Sequence, residues 1–296
     1  MKRGIVAAIT ALLVAVASAS NSWAEATWID PSTATQAIAH GGDLVVLDAR
    51  SSREYAAGHI AGALNAPWQS FSDMAGKPGN ARWGILLPAD KLSTAISALG
   101  IGNSTRVLVY SSSPNGWGED GRVAWTLRSA GVTNVAIVDG GYKGWVAAGG
   151  RVSQARATRQ PTNFRVASVD SALNATKDEV KSALGRAHIV DARAADEYAG
   201  AQKFGELRGG HLPHAISLPW DKVFDRNGRM RDSNALRKIM VDAGLKPDDD
   251  IIIYCTKGIR SAHLALVLRE ISFGKTRNYD ASFYEWSGDT ALPVEK

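Results

Sequence analysis

The sequence predicts an α/β fold built twice, each copy a mostly parallel sheet with helices on both faces. Short apolar runs such as Leu44-Val45-Val46-Leu47 and Ile251-Ile252-Ile253 alternate with stretches of helical periodicity, the pattern of strands covered on both sides by crossover helices. The chain also repeats itself: Asp48-Ala49-Arg50 returns as Asp191-Ala192-Arg193, and Gly58-His59-Ile60 returns as Gly210-His211-Leu212. A length of 296 residues accommodates two ordinary domains.

The N-terminus reads as an address. Lys2 and Arg3, an apolar stretch over residues 5–17 and Ser22-Trp23-Ala24 make the charged, apolar and small-x-small parts of a signal peptide over residues 1–24, with Glu25 as the mature terminus. An exported protein, periplasmic or secreted, is therefore expected. The apolar stretch is short for a spanning helix and nothing later is longer, so no stable membrane insertion is expected after cleavage.

Residues 25–150 form the first predicted copy, residues 151–163, polar and basic with Pro161, the linker, and residues 164–296 the second copy. In each, a strand ending in Asp-Ala-Arg passes a Gly-His turn and enters a second strand at Leu64 or Ile216. A third strand follows, at Arg106 to Tyr110 in one copy and Asp250 to Tyr254 in the other, then a loop and a helix. The copies close on matching boxes, Asp139-Gly140-Gly141 with Trp145 and Asp280-Ala281-Ser282 with Trp286. Ala281 in place of glycine leaves the second turn's backbone geometry open. The second copy has an insertion over residues 199–209.

Charge excludes one class of partner. The formal charge of +5 falls by two, to +3, when Lys2 and Arg3 are removed, and no basic stripe interleaved with aromatics marks a nucleic-acid surface. The single cysteine rules out an internal disulfide. In an oxidising compartment such an isolated thiol suits catalysis.

That cysteine, Cys255, ends an apolar strand and opens the hexapeptide Cys255-Thr256-Lys257-Gly258-Ile259-Arg260 before a predicted helix over residues 261–269. A thiol there faces a helix N-terminus, where unpaired amides and the helix dipole favour an anion, with Lys257 and Arg260 adding positive charge. The competing reading is a small buried hydrophobe. Position at a strand end, where open α/β sheets bind ligands, and Gly258 in the loop favour chemistry. The amides from Thr256 through Gly258 and Ile259 to Ser261 are the expected donors to the sulfur.

These motifs together resemble the rhodanese family, specifically its tandem-domain sulfurtransferases, over about Trp28 to Leu292. The resemblance implies two rhodanese-like domains, the first catalytically silent and the second carrying the nucleophile. Ser111 stands at the position of Cys255 and opens a longer loop without a histidine base. The resemblance also implies that Arg193 binds the substrate, with Asp191 holding it in place, whereas Arg50 is structural. Lysine at position 257 matches the thiosulfate-using branch; the mercaptopyruvate-using branch tends to have Gly, Ser or Thr there. Trp117 is expected at the domain interface, which in this family borders the active cleft.

The implied reaction passes the outer sulfur of thiosulfate through a Cys255 persulfide to cyanide or another thiophilic acceptor. It needs no organic cofactor or metal. His211 and His214 could suggest a metal pair, but His211 matches His59 of the silent copy and no third ligand completes a site. His263, on the helix after the loop, reads as a surface or packing residue. Cysteine phosphatases use a similar strand, loop and helix, but their loop is one residue longer; four residues between Cys255 and Arg260 make a ring too small for a tetrahedral oxyanion. Two alternatives stay open: mercaptopyruvate as donor, and a carrier that loads a persulfide once and hands it to a partner protein.

Overall fold

The computed structural model describes residues 27–296, so the signal-peptide reading lies outside the described residues. The first domain runs β1 (Trp28–Ile29), α1 (Pro31–His40), β2 (Leu44–Asp48), α2 (Ser52–Ala57), β3 (His59–Ile60), β4 (Leu64–Asn65), α3 (Ala89–Ala98), β5 (Arg106–Tyr110), α4 (Glu119–Ser129), β6 (Val135–Val138), α5 (Gly141–Ala147) and β7 (Val152–Ser153). The second runs β8 (Asn174–Ala175), α6 (Lys177–Ala183), β9 (His188–Asp191), α7 (Ala195–Tyr198), β10 (Ile216–Ser217), α8 (Ser233–Asp242), β11 (Ile251–Tyr254), α9 (Ile259–Glu270), β12 (Thr276–Tyr279) and α10 (Ser282–Gly288). Local chemistry sets the starts: Asp30 caps α1 ahead of Pro31, and Ser51 with Glu54, or Thr176 with Glu179, close capping boxes on α2 and α6.

The two five-stranded sheets are wholly parallel and share one topology. Their orders are β1-β6-β5-β2-β4 and β8-β12-β11-β9-β10, so each strand has its counterpart in the same place. Alternate strand residues feed opposite faces: Val45, Leu47, Val107 and Val109 pack toward α3 and α4, while Val46, Leu108 and Val138 pack toward α1 and α5. In the second sheet Ile251 and Ile253 meet α8 and α9, and Ile252 and Tyr254 meet α6 and α10. This two-sided burial explains the unbroken apolar runs.

The linker is not a free tether. Residues 154–173 carry no helix or strand, yet Arg159 bonds Asp43 and the Leu44 carbonyl, and Thr162 and Val166 bond Ser97 and Ser93 of α3. Phe164 and Val166 are buried in the first domain's core. The second domain's first strand therefore starts at Asn174, ten residues past the predicted boundary, because α3 absorbs the apolar pair.

The domains join through α4 and α9. Every residue of α9 from Ile259 to Leu268 is buried, as expected of a helix with no polar face. Leu264, Val267 and Leu268 fill the second core, while Ile259, Ala262 and Leu266 complete the first beside Val123, Ala124 and Leu127. Each such leucine, isoleucine or valine contributes about 1.5–3 kcal/mol by burial, so α9 stabilises both domains at once. One helix thus serves both cores and opens at the cysteine loop.

Gly121 on α4 lies against α9 so closely that a Cβ there would sit 2.5 Å from Cβ and 2.6 Å from Cα of His263. Alanine gains about 1 kcal/mol of helix propensity over glycine, but overpacking of this kind costs about 1–3 kcal/mol. Gly121→Ala is accordingly expected to lower the urea unfolding midpoint. A raised midpoint would mean that the helices have room to part.

Candidate active site

Cys255 follows the last residue of the central strand β11, and Gly258, at φ 79°, turns the chain directly into α9. The left-handed turn and the adjoining Asp280 carbonyl leave no room for a side chain at 258. Cys255 is buried, its amide donating to Ser282 Oγ at 3.2 Å. Ser282, at φ 54°, is fixed in turn by its own bond to the Tyr279 carbonyl at 2.7 Å. The open question at the closing box resolves here: Ala281 takes ordinary helical geometry and the positive φ passes to Ser282, whereas Gly140 and Gly141 both take it in the first copy.

Burial pushes the Cys255 thiol up, but the Arg260 charge, the Ser261 hydroxyl at 3.5 Å and the amides of Ser261 and Lys257 outweigh it, and the net shift is downward. The sulfur is therefore held toward thiolate. Of the predicted loop donors, Ser261 meets the sulfur by both amide and hydroxyl. Thr256, Gly258 and Ile259 shape the loop: Thr256 bonds Glu197 and Arg260 through its hydroxyl, Gly258 supplies the turn, and Ile259 lines the cleft.

The two loop cations differ in their neighbours. Arg260 is buried and forked onto Glu197, at 2.6 and 2.8 Å, with Thr256 Oγ1 at 2.7 Å. Glu197, which burial pushes up and Arg260 pulls further down, ends below the usual carboxylate range. Lys257 instead points across the domain interface. Its ammonium sits 4.2 Å from the Trp83 ring centroid and 4.8 Å from that of Trp68, both in the first domain. Burial beside Arg260 and Arg122 pushes it down to about 8, against the pull of the Cys255 charge. Among the described residues no carboxylate pairs with it.

A cleft of about 90 Å³ opens onto the sulfur, lined by Trp117, Phe204, Cys255, Lys257, Arg260 and Tyr284 among others, room for a small anion and well below the ~300 Å³ of a drug-sized site. Trp117 comes from the first domain and meets Phe204 edge to face at 5.3 Å. Phe204 belongs to the insertion that the first copy lacks, and its carbonyl accepts from Tyr284 Oη at 2.6 Å. Arg122, also from the first domain, bonds the Gly258 carbonyl at 3.1 Å, the Gly84 carbonyl at 3.2 Å and the carboxylate of Asp280.

A family model described as a rhodanese-like domain matches this chain twice, over residues 30–148 and 176–289. The chain belongs to the rhodanese family. Among relatives of this tandem rhodanese, a protein of Saccharopolyspora erythraea named "Putative thiosulfate sulfurtransferase" is 33% identical over 251 residues, 81% of this chain and 86% of the relative. The "Sulfur carrier protein TtuD" of Thermus thermophilus is 28% identical over 256 residues, 82% and 87% of the two chains. In fold it is similar to the anaerobic ergothioneine biosynthesis enzyme from Chlorobium limicola, with a TM-score of 0.79 at 21% identity over 91% of this chain and 70% of that one.

The structure brings Cys255, Lys257, Arg260 and Ser261 together and sets Arg193 apart from them. Arg193 is fully buried, forked onto Asp191 with its closest contact at 2.6 Å, bonded to the Gly210 carbonyl at 2.7 Å and stacked 4.0 Å from the Phe283 ring. It does not line the cleft. Arg50 makes the same contacts in the first domain, to Asp48 at 2.6 Å and Gly58 at 2.7 Å, and Tyr110 and Tyr254 bond Asp48 and Asp191 alike at 2.6 Å. The same pairing thus closes the equivalent strand end in both copies. Asp191 holds the arginine as expected, and the pair braces the strand end, with Arg193 Nη1 buried and without a hydrogen-bond partner among the described residues.

Sequence reading missed Glu197, Arg122, Trp68, Trp83 and Phe204. Glu197 had a signal, since Glu54-Tyr55 repeats as Glu197-Tyr198; Arg122, Trp68 and Trp83 reach the site only through domain packing, and Phe204 through the second copy's own insertion. His263 is a buried packing residue, its Nδ1 3.3 Å from Asp120 and its ring among Trp28, Trp220 and Phe224. Ser111 is buried and bonded to Ser113. His59 and His211 occupy equivalent turns, each stacked on the tyrosine of its Glu-Tyr pair.

Arg260→Met removes the leading favourable charge on the thiol while burial remains, so the pH midpoint for alkylation of Cys255 by iodoacetamide should rise and the rate at neutral pH should fall about tenfold for each unit of that rise. Glu197→Met in the same chain removes the stranded carboxylate and should restore stability without restoring reactivity. An unchanged alkylation midpoint in the Arg260 variant would assign the thiol's acidity to the loop amides alone.

Proposed function

We propose that the sulfur moved by this tandem rhodanese sulfurtransferase is the sulfane sulfur of thiosulfate, passed through a Cys255 persulfide to cyanide or another thiophilic acceptor. One observation carries the reading: a thiol held toward thiolate shares a cleft with an ammonium to which no carboxylate is bonded among the described residues. Cys255 Sγ attacks the outer sulfur of thiosulfate, the S–S bond breaks, and its electron pair leaves with sulfite. A thiophilic acceptor then attacks the terminal sulfur of the persulfide, and the electron pair of the second broken S–S bond returns to Sγ; with cyanide the product is thiocyanate.

The protein's part is electrostatic. Ser261 and the loop amides stabilise sulfur anion in the thiolate, the persulfide and both transition states, and Lys257 meets the sulfonate end. Arg260, already paired with Glu197, holds the loop and biases its potential. The apolar wall of Trp117, Phe204 and Tyr284 strengthens these interactions by excluding water. The likeness to a sulfur carrier supports a second reading, in which the persulfide is delivered to a partner protein. Mercaptopyruvate as donor is the remaining alternative. Export belongs to the first reading, resting on the pattern of residues 1–24; N-terminal sequencing of the exported protein should begin at Glu25, and a chain retaining residue 1 would contradict it.

Incubation with thiosulfate or mercaptopyruvate, followed by thiocyanate formation and intact mass, separates the readings. Thiosulfate should give the faster turnover, with many thiocyanates per Cys255 and one added sulfur on the wild-type chain but not on Cys255→Ser. A single turnover would favour the carrier, and preference for mercaptopyruvate would refute the role given to Lys257. Thiosulfate use should rise as Cys255 deprotonates and fall above about pH 8 as Lys257 loses its proton. Lys257→Arg, charged throughout, should lose that alkaline fall.

A further inference from the structure

We infer that Trp83, together with Trp68, is a positioning residue for Lys257: the silent domain supplies an aromatic seat that holds the donor-binding ammonium at the cysteine loop without neutralising it. The inference rests on the role given to Lys257 above and extends it to residues on the other domain. Nζ lies 4.2 Å from the Trp83 centroid and 4.8 Å from that of Trp68, and the two rings meet edge to face at 5.9 Å. Trp83 is itself braced edge to face against the cleft residue Tyr284 at 6.2 Å.

The chemistry differs from that of an ion pair. A carboxylate partner would take up the charge and hydrogen-bonding capacity of the ammonium, as Glu197 does for Arg260. Ring faces attract a cation through their quadrupole yet leave its positive field available to an anion on the other side. The seat is also tied in place. Gly84, next to Trp83, has φ 85° and space beside it that the Trp68 ring and the Lys257 stem occupy, and its carbonyl accepts from Arg122, whose other arm holds the Gly258 carbonyl. One guanidinium thus fixes the tryptophan segment to the loop that carries Lys257.

Trp83 is the residue to change, being half-buried where Trp68 is part of the first core. Trp83→Leu keeps the apolar surroundings and removes the quadrupole, so it should disfavour the charged lysine; Trp83→Phe keeps a ring face and should fall between the two. The titration of Lys257, read from its acylation by acetic anhydride across pH with peptide mass spectrometry, requires no turnover. Its midpoint, about 8 in the wild-type chain, should drop by about 0.5–1 pH unit in Trp83→Leu.

In steady-state assays Trp83→Leu should raise KM for thiosulfate about 3–10-fold, with kcat at saturation little changed and the alkaline fall in activity moved to lower pH. In a Lys257→Ala background the same substitution should leave KM where Lys257→Ala puts it. An unmoved lysine midpoint overturns the seat, as does an equal rise in KM with and without Lys257, which would be general packing. A wild-type chain that does not use thiosulfate, but whose lysine midpoint moves in Trp83→Leu, upholds the seat and overturns only the assignment of the donor.

Discussion

The buried guanidinium of Arg122 is the contact on which the site's architecture depends. It leaves the first domain on α4 and ends in the second, where it bonds the Gly258 carbonyl and the Asp280 carboxylate, while a third bond returns to Gly84. Asp280 also accepts from the Leu86 amide at 2.8 Å, so the closing box of the second domain is tied twice to the segment carrying Trp83. Removing one member of a buried pair costs about 3–5 kcal/mol, because the other charge is left in a medium that cannot solvate it. That penalty makes the relative placement of the cysteine loop, the closing box and the tryptophan segment a single constraint.

Duplication explains how the first domain comes to border the cysteine loop of the second. The two copies present equivalent helices to each other: Gly118 caps α4 at φ 79° and Gly258 caps α9 at φ 79°. Seven positions separate Ser111 from Gly118, against three from Cys255 to Gly258, so only the second copy curls tightly around one atom. The Pro-Trp turns show the same exchange. Trp68 of the first copy lies against the second copy's Lys257, and Trp220 of the second lies against Gly118 of the first. The first domain carries Ser111 where its twin carries Cys255, and it presents the surface that completes its twin's loop.

Much of the fold was legible because its determinants are local. Unbroken apolar strands, the Asp-Ala-Arg endings and the Gly-His turns each carry their reason in a few neighbouring residues, and the repeat doubled every one of them. The thiol was legible for the same reason, since strand end, glycine and helix N-terminus lie within six residues of one another. The pairing of Arg193 was not legible, because the sequence shows a cation near the loop but not that Asp191, two residues away, takes up Nε and one arm of its guanidinium in the interior. The insertion around Phe204 and the tryptophans at 68 and 83 were silent because their meaning arises only when two domains pack. A similar limit explains Phe164 and Val166: apolar residues in a polar linker state that something covers them, but not which domain does.

Charge distribution is what turns this architecture into a sulfur-handling site. Arg260 is paired with Glu197 and directs its field at the thiol, Arg193 is paired with Asp191 and does not line the cleft, and Lys257 alone of these three has no carboxylate bonded to it among the described residues. The most direct test is a crystal structure of Cys255→Ser with thiosulfate bound. The account predicts the sulfonate oxygens on Lys257 Nζ, with the outer sulfur over the loop amides and Trp83 behind the lysine. An anion bound instead to Arg193, with Asp191 displaced, would contradict it.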